Sequence, residues 1–162
     1  MGQKTAMWVH GTSVHEEYPD IVQSFRKGWG SHFVGDYGTK NWFHFSITTP
    51  ALLNGVRPSL VKVFVFYNTN PREQYGFQVH ARITNLHIYD GKMRVKAFDG
   101  LDLTGDHSHT IDDKNSWVIE PNLTIRYGLG LSLGVEYPIY YPEMGNARGE
   151  ILFTTAGADF EV

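Results

Sequence analysis

The chain contains no cysteine among its 162 residues. This excludes a thiolate nucleophile, a cysteine-ligated zinc or iron–sulfur site and a redox dithiol. Charge is also scarce, because Asp, Glu, Lys and Arg make up 19% of the residues and the formal net charge is −3. Since no basic run is present, we expect no binding to nucleic acid. No apolar run approaches the roughly 20 residues of a membrane-spanning helix, so we expect no membrane span.

The first residues, MGQKTAMWVHG, lack the apolar core of a secretory signal peptide. This absence predicts a cytoplasmic protein. No linker, low-complexity tract or repeat divides the chain, and its length suits one folded unit. We therefore expect a single domain over residues 1–162, which is large enough to bury a core without a disulfide or a structural metal.

Apolar residues recur at every second position, between turns marked by 17 glycines and seven prolines. This alternation is typical of β-strands. We predict an all-β fold, an antiparallel two-sheet β-sandwich with about nine or ten strands and at most one short helix. A jelly roll is one candidate topology for it, and an open barrel is the competing architecture.

The predicted strands lie between turn-forming Gly, Pro and Asp residues. They are Ala6–His10, Asn41–Thr48, Ser59–Tyr67, Phe77–Tyr89, Lys92–Phe98, Trp117–Ile119, Leu123–Tyr137 and Glu150–Thr155. The segment Glu16–Lys27 is ambiguous, because Pro19 and the apolar residues after it also suit one or two helical turns.

The longest predicted strand, Leu123–Tyr137, has one face that is almost without side chains. Glycine weakens a strand by roughly 0.5–1 kcal/mol relative to alanine, so some gain must offset this cost. Either a ligand lies against this face, or large rings fill the space, or the glycines form bends or bulges. The bare positions are Gly128, Gly130, Ser132 and Gly134. The candidate rings are Trp8, Trp42 and Trp117.

Histidines carry the main site hypothesis. His107 and His109 form an His-x-His pair, and on a strand the two rings would leave one face about 6.5–7 Å apart, within reach of one metal ion. His10 ends one predicted strand and His44 lies within another. If those strands are neighbours, the imidazoles converge in a way that suits zinc, copper or iron. The predicted metal ligands are His10, His44, His107 and His109.

Two further readings of these polar residues remain open. A histidine oriented by a carboxylate acts as a general base without a metal, which makes His44 and His107 the predicted catalytic residues. Asp106 and Asp159 are the candidate carboxylates for His44. Calcium is a less favoured cofactor, held by acidic side chains of one polar run. These are Asp99, Asp102, Asp106, Asp112 and Asp113.

Several rings are expected at the surface. Tyr140 and Tyr141 lie between two prolines, and Trp29 lies between two glycines. Such rings stack on sugar faces or anchor protein interfaces. They favour self-association into a homo-oligomer ahead of carbohydrate binding.

Three function classes follow. The leading hypothesis is a β-sandwich that binds a small molecule or carbohydrate, in a pocket lined by Trp42, His44, the Gly128–Gly134 face and the loop around His107. Trp29, Tyr140 and Tyr141 would add ligand contacts.

The first alternative is a histidine-based enzyme, either dependent on zinc, copper or iron or using a histidine as general base. The second alternative is a structural subunit that self-assembles. No Gly-x-Ser-x-Gly elbow, P-loop or dinucleotide fingerprint supports other enzyme classes.

Two resemblances bear on these hypotheses. The His107 and His109 pair partly resembles the first cupin motif, with Asp113 where cupins have glutamate, and the second cupin motif is absent. Over most of its length the chain also resembles a family of small all-β microbial proteins of unknown function. This second resemblance implies an all-β fold and assigns no catalytic residue. The segments that carry it are VHGT at 9–12, NWFHF at 41–45, GDHS at 105–108, the strand at 127–137 and FTTAGADF at 153–160.

Overall fold

The alternating pattern forms twelve β-strands in a computed structural model that describes residues 2–70 and 80–162. The strands are β1 (Lys4–His10), β2 (His15–Glu16), β3 (Val22–Lys27), β4 (Gly30–Gly35), β5 (Lys40–Ile47), β6 (Ser59–Asn68), β7 (Arg82–Asp90), β8 (Met93–Phe98), β9 (Asp106–His107), β10 (Ser116–Thr124), β11 (Leu129–Glu136) and β12 (Glu150–Glu161). Three 3₁₀ turns, Gly11–Ser13, Pro19–Ile21 and Pro142–Met144, are the helical segments of these residues. None of the described helical segments is long and apolar enough to cross a bilayer.

The strands pair into two antiparallel sheets. The five-stranded sheet has the order β2-β5-β11-β7-β8. The seven-stranded sheet follows the path β10-β6-β12-β4-β3, with β1 also beside β12 and β9 beside β6. The eight main strands, β4 to β8 and β10 to β12, can be numbered 1 to 8 in chain order. In these numbers one sheet has the strand order 6-3-8-1, and the other has the order 2-7-4-5. This is the strand order of a jelly roll.

The inner faces of the two sheets share one apolar core. Phe33 of β4 meets Phe43 of β5 with ring centroids 4.5 Å apart. Phe43 also lies 5.3 Å from Phe153 of β12. All three rings are fully buried, and burial of such a side chain stabilises the fold by about 1.5–3 kcal/mol. The prediction of an all-β, two-sheet sandwich is confirmed.

The predicted strand Leu123–Tyr137 is wrong as a single element. β10 ends at Thr124 and β11 begins at Leu129. Between them, the Asp90 carboxylate accepts hydrogen bonds from the backbone N–H groups of Arg126, at 3.0 and 3.1 Å, and Tyr127, at 2.7 Å. Gly128 has a φ of 123°, which favours glycine, and thus belongs to this turn and not to a bare strand face.

Other boundaries also differ from the sequence-based expectation. The predicted strand Glu150–Thr155 is too short, because β12 continues to Glu161. The ambiguous segment 16–27 contains the turn Pro19–Ile21 and then the strand β3, so most of it is not helical. The predicted strand Trp117–Ile119 is longer, because β10 continues past Pro121, which follows a cis peptide bond, with a register shift between Val118 and Leu123. Of the predicted strand 77–89, residues 77–79 lie outside the described residues, and β7 begins at Arg82.

β11 positions the candidate site because it is the central strand of the five-stranded sheet. Its inward side chains, among them Leu131 and Leu133, are fully buried in the core. Since successive residues of a strand point to opposite faces, Gly130, Ser132 and Gly134 belong to the outer face. β5 and β7 flank this bare strip on its two sides.

Candidate functional site

Ser132 lies between two histidines on the outer face of the five-stranded sheet. Its direct cross-strand partners are His44 on β5 and His87 on β7. Residues directly opposite each other in an antiparallel sheet point to the same face, so the three side chains form one row. Leu131 and Leu133, the neighbours of Ser132 in β11, are buried in the core. The row therefore lies on the outer face of the sheet.

The His44 imidazole is held at both of its nitrogens. Nδ1 lies 2.7 Å from Ser132 Oγ, and Nε2 lies 3.1 Å from Glu17 Oε2. Glu17 follows β2, and its backbone N–H donates to the Trp42 carbonyl at 2.8 Å, which ties the carboxylate to β5. If Nε2–H donates to the carboxylate, Nδ1 is left to accept the hydroxyl proton of Ser132. The arrangement therefore suits His44 to act as a base toward Ser132.

His87, on the other side of Ser132, has a carboxylate of its own. Its Nε2 lies 2.8 Å from Asp99 Oδ1. Asp99 Oδ1 also accepts a hydrogen bond from Asn85 Nδ2 at 2.6 Å. The hydrogen bonds from Asn85 and His87 lower the pKa of the Asp99 carboxyl. An ionised Asp99 can only accept a hydrogen bond, so it takes the Nε2–H of His87 and orients that ring.

The Trp42 ring crosses the central strand. Its centroid lies 4.8 Å from that of His87, although β11 separates their strands. Lys40 lies beside it, with Nζ 5.0 Å from the Trp42 ring centroid and 2.5 Å from Asn85 Oδ1. A Cβ at Gly134 would lie 2.7 Å from Asn85 Oδ1 and 3.0 Å from Lys40 Cε. Gly134 is therefore covered by two polar side chains, one from each flanking strand.

Gly130, in contrast, leaves the sheet open. A Cβ built there meets only Tyr89 Cβ, at 3.7 Å, which is ordinary contact. The open strip forms the floor of a concavity of about 550 Å³. Its rim and floor include Trp42, His44, His87, Tyr89, Arg94 and Ser132. The predicted grouping of Trp42, His44 and Gly130 around one pocket agrees with this geometry.

The Trp8 and Trp117 rings do not fill this space. Trp8 belongs to β1 of the seven-stranded sheet, where its ring centroid lies 4.2 Å from that of Phe64. Trp117 is on β10 of the same sheet and packs against the core. The expectation that a ring lies across the bare strip holds only for Trp42, through its contact with His87.

The prediction that His107 joins this pocket is wrong, because β9 pairs with β6 of the seven-stranded sheet. His107 Nδ1 lies 2.8 Å from Asp112 Oδ2, and Nε2 lies 2.9 Å from the Thr104 carbonyl. The ring also packs on Tyr67, with centroids 5.2 Å apart. Both nitrogens are used to hold the loop together, so this geometry gives no support to a catalytic role for His107.

The predicted convergence of four histidines on one metal is also wrong. His10 Nδ1 bonds locally to Thr12 Oγ1 at 2.9 Å, and His109 is an exposed residue 3.3 Å from Asp106. His44 lies on the other sheet. Within residues 2–70 and 80–162, no group of three or more His, Asp or Glu side chains is arranged to hold a metal ion.

The cupin-like and calcium-like arrangements are not formed either. Asp113 is exposed and lies 3.7 Å from Lys114 instead of beside the histidine pair. The other acidic residues have separate partners: Asp99 contacts His87, and Asp102 contacts Arg82 at 3.3 Å. Their carboxylates do not share a centre among the described residues.

The surface rings are exposed as expected, but away from the concavity. Trp29 is 45% exposed in the turn between β3 and β4. Tyr140 is 53% exposed and packs edge-on against Tyr37, with centroids 5.2 Å apart. Tyr141 lines a second concavity of about 690 Å³ together with Arg82 and other residues. Their roles as ligand residues stay predictions.

Sequence reasoning missed the functional pairing of four residues, Glu17, His87, Asp99 and Ser132. The alternation places Ser132 on the correct face but identifies it only as a small residue beside the glycines. His87 is itself buried between the buried Leu86 and Ile88, and a polar residue in such a place is a signal of its own. Glu17 and Asp99 lie outside the strands, so only the folded structure brings them to the histidines.

A comparison with protein-family models assigns the chain to a family. Residues 1–160 match the model described as "Family of unknown function (DUF6623)". The chain belongs to this family, which confirms the expected resemblance to proteins of unknown function. A search of curated proteins finds no match to the chain.

Proposed function

We propose that the protein binds a small polar ligand of the carbohydrate class in the concavity on the outer face of the five-stranded sheet. The observation that carries the proposal is the contrast along β11. Gly130 leaves the strand open, whereas Lys40 and Asn85 cover Gly134, and rings of β5 and β7 line the open part. A bare floor lets a ligand approach the backbone closely, and the rings give it walls.

The chemistry of the walls suits a sugar. Trp42 and Tyr89 supply apolar ring surface, on which the C–H faces of a pyranose pack. Glu17, His44 and Arg94 line the same concavity and offer both acceptors and donors for hydroxyl groups. A volume of about 550 Å³ falls within the usual range of small-ligand sites.

Occupying the floor tests the proposal. Gly130→Val places a β-branched side chain in the concavity without a backbone clash. Gly28→Val is the matched control, because a Cβ at Gly28 meets nothing within 4 Å and lies in a turn of the other sheet. We expect glycan-array and calorimetric titrations to show sugar binding by the wild type and Gly28→Val, and its loss in Gly130→Val. Equal binding by both variants, or no sugar bound by the wild type, would overturn the proposal.

A histidine-based enzyme is the second candidate, favoured by the hydrogen bonds that join Glu17, His44 and Ser132. It needs no metal. Homo-oligomerisation through the exposed rings and a cytoplasmic location stay predictions. Light scattering of the wild type beside Tyr140→Glu checks the first, since a charge on an interface ring would break an assembly.

A further inference from the structure

We propose that Ser132 is a nucleophile activated by His44 and Glu17, and that the ligand of the concavity carries an acyl ester which Ser132 cleaves. This inference rests on the proposed function, because the ester must first bind above Gly130 and Ser132. It goes beyond binding by assigning a reaction and a substrate class, the acyl esters of small polar alcohols such as sugars.

The geometry is that of a serine, a base and an orienting carboxylate. The distances of 2.7 Å from Ser132 Oγ to His44 Nδ1 and 3.1 Å from His44 Nε2 to Glu17 Oε2 are within hydrogen-bond reach. The cross-strand pairing of β5 with β11 fixes the first contact, and the Glu17 backbone bond to Trp42 fixes the second. Such constellations are recognised by geometry and roles, and they occur on unrelated folds.

The reaction balances with water as the only other reactant. Ser132 Oγ attacks the ester carbonyl carbon, and its proton passes to His44 Nδ1. The tetrahedral intermediate then expels the alcohol oxygen, which takes that proton from His44. Water, deprotonated by the same imidazole, attacks the acyl-serine and releases a carboxylic acid, and the proton returns to Ser132 Oγ. Glu17 orients the ring and stabilises its charged form throughout.

The oxyanion must be met by side chains. β11 is paired with β5 on one side and β7 on the other from Leu129 to Glu136, so its backbone N–H groups point into the ladders. Arg94 lines the same concavity, and His87 faces Ser132 from the side opposite His44. The Arg94 guanidinium is always protonated and brings positive charge to the concavity where the oxyanion develops.

The substrate is an ester instead of an amide for a related reason. Each donor of a preorganised oxyanion hole contributes roughly 10²–10³-fold to kcat, and β11 offers no free backbone N–H for this role. An ester has the more reactive carbonyl and the better leaving group, so it needs less of this stabilisation.

Covalent labelling tests the proposal directly. We expect a fluorophosphonate probe to add once to the wild type, with the modified peptide containing Ser132, and p-nitrophenyl acetate to be hydrolysed. Ser132→Ala removes both signals, and His44→Ala lowers the hydrolysis rate by about 10²–10⁴-fold. Ser24→Ala is the control, because Ser24 Oγ donates to Glu16 at 2.8 Å without any histidine. It should keep the wild-type label and rate.

Two further measurements separate the possible failures. Glu17→Gln should lower kcat and leave the melting temperature unchanged if Glu17 acts through His44, whereas a purely structural loss lowers the melting temperature as well. Ser132→Ala should still bind sugar in the titration above. A label on another residue, or unlabelled folded wild type with no hydrolysis, overturns the nucleophile while sugar binding stands. Absence of both binding and labelling overturns both proposals.

Discussion

His44 and His107 each lie beside a carboxylate, but the two contacts join different parts of the fold. The partners of His107 are close in sequence, three residues away at Thr104 and five at Asp112. The partners of His44 are 27 residues away at Glu17 and 88 at Ser132. The His107 ring closes a loop on itself, whereas the His44 ring joins three separate parts of the fold at a concavity.

The difference shows how a local motif can mislead. An His-x-His spacing is visible in the sequence, but short-range polar contacts of this kind serve mainly to organise turns. The row of His44, Ser132 and His87 has no sequence motif, because it is produced by strand register. If the comparison is correct, substitutions at His107 affect folding and substitutions at His44 affect chemistry.

The largest effect on stability is expected from His107→Ala. The change removes the contacts with Asp112 and Thr104 and the packing on Tyr67. We expect the free energy of unfolding to fall by about 1–3 kcal/mol, measured by urea denaturation. His109→Ala is the control: that side chain is 81% exposed, and the change should stay within about 0.5 kcal/mol. Equal losses of stability in His107→Ala and His109→Ala would contradict a structural role for the His107 contacts.

A smaller effect is expected from acid. Burial tends to raise the pKa of Asp112, but hydrogen bonds from His107 and from the backbone N–H groups of Lys114 and Asn115 outweigh it and hold that pKa below its usual value. A lowered folded-state pKa stabilises the fold above the unfolded-state value and loses this contribution as pH falls through the folded-state value. We therefore expect stability to fall below about pH 4.

Urea denaturation at a series of acidic pH values measures this dependence. Asp112→Asn should be less stable at neutral pH and lose less on acidification. The neighbouring Asp113→Asn serves as the control, since Asp113 is exposed and should leave the profile unchanged. Identical acid profiles for wild type and Asp112→Asn would contradict a stabilising role for this carboxylate.

The smallest effect on stability is expected from His44→Ala. The side chain is 41% exposed, and its polar contacts lie at the surface of the concavity. We expect the free energy of unfolding to change by less than about 1 kcal/mol, while ester hydrolysis is lost. A loss of stability as large as that of His107→Ala would show that His44 is also a structural histidine.

Much of the fold could be predicted because alternation directly reports which face of a strand is buried. Leu129, Leu131 and Leu133 face the core, as their spacing indicates. The turn before them was missed because alternation continues through it. Tyr127 falls at an apolar position of the pattern but is 78% exposed. The turn is held by Asp90 of β7, a strand that is far from it in the sequence.

The site could be predicted only in part, because alternation reports the faces of one strand and not the pairing between strands. Alternation within β5 places Trp42 and His44 on one face, and alternation within β11 does the same for Gly130 and Ser132. It does not reveal which strands are neighbours or in what register they pair. Gly134 is an example of what is missed. Lys40 and Asn85 cover it, and the sequence alone does not show that their strands lie on either side of β11.

The position of β12 has a consequence for biosynthesis. β1, β4 and β6 all pair with this one strand, and Lys4 pairs with Glu161. On the ribosome every strand of the five-stranded sheet has therefore been made before Glu150 begins the strand that organises the other sheet. Until then the seven-stranded sheet lacks the strand that joins β1, β4 and β6, and incompletely packed apolar surface of this kind is what chaperones bind. The sheet that carries the candidate site thus has all its strands before the other sheet has its central strand.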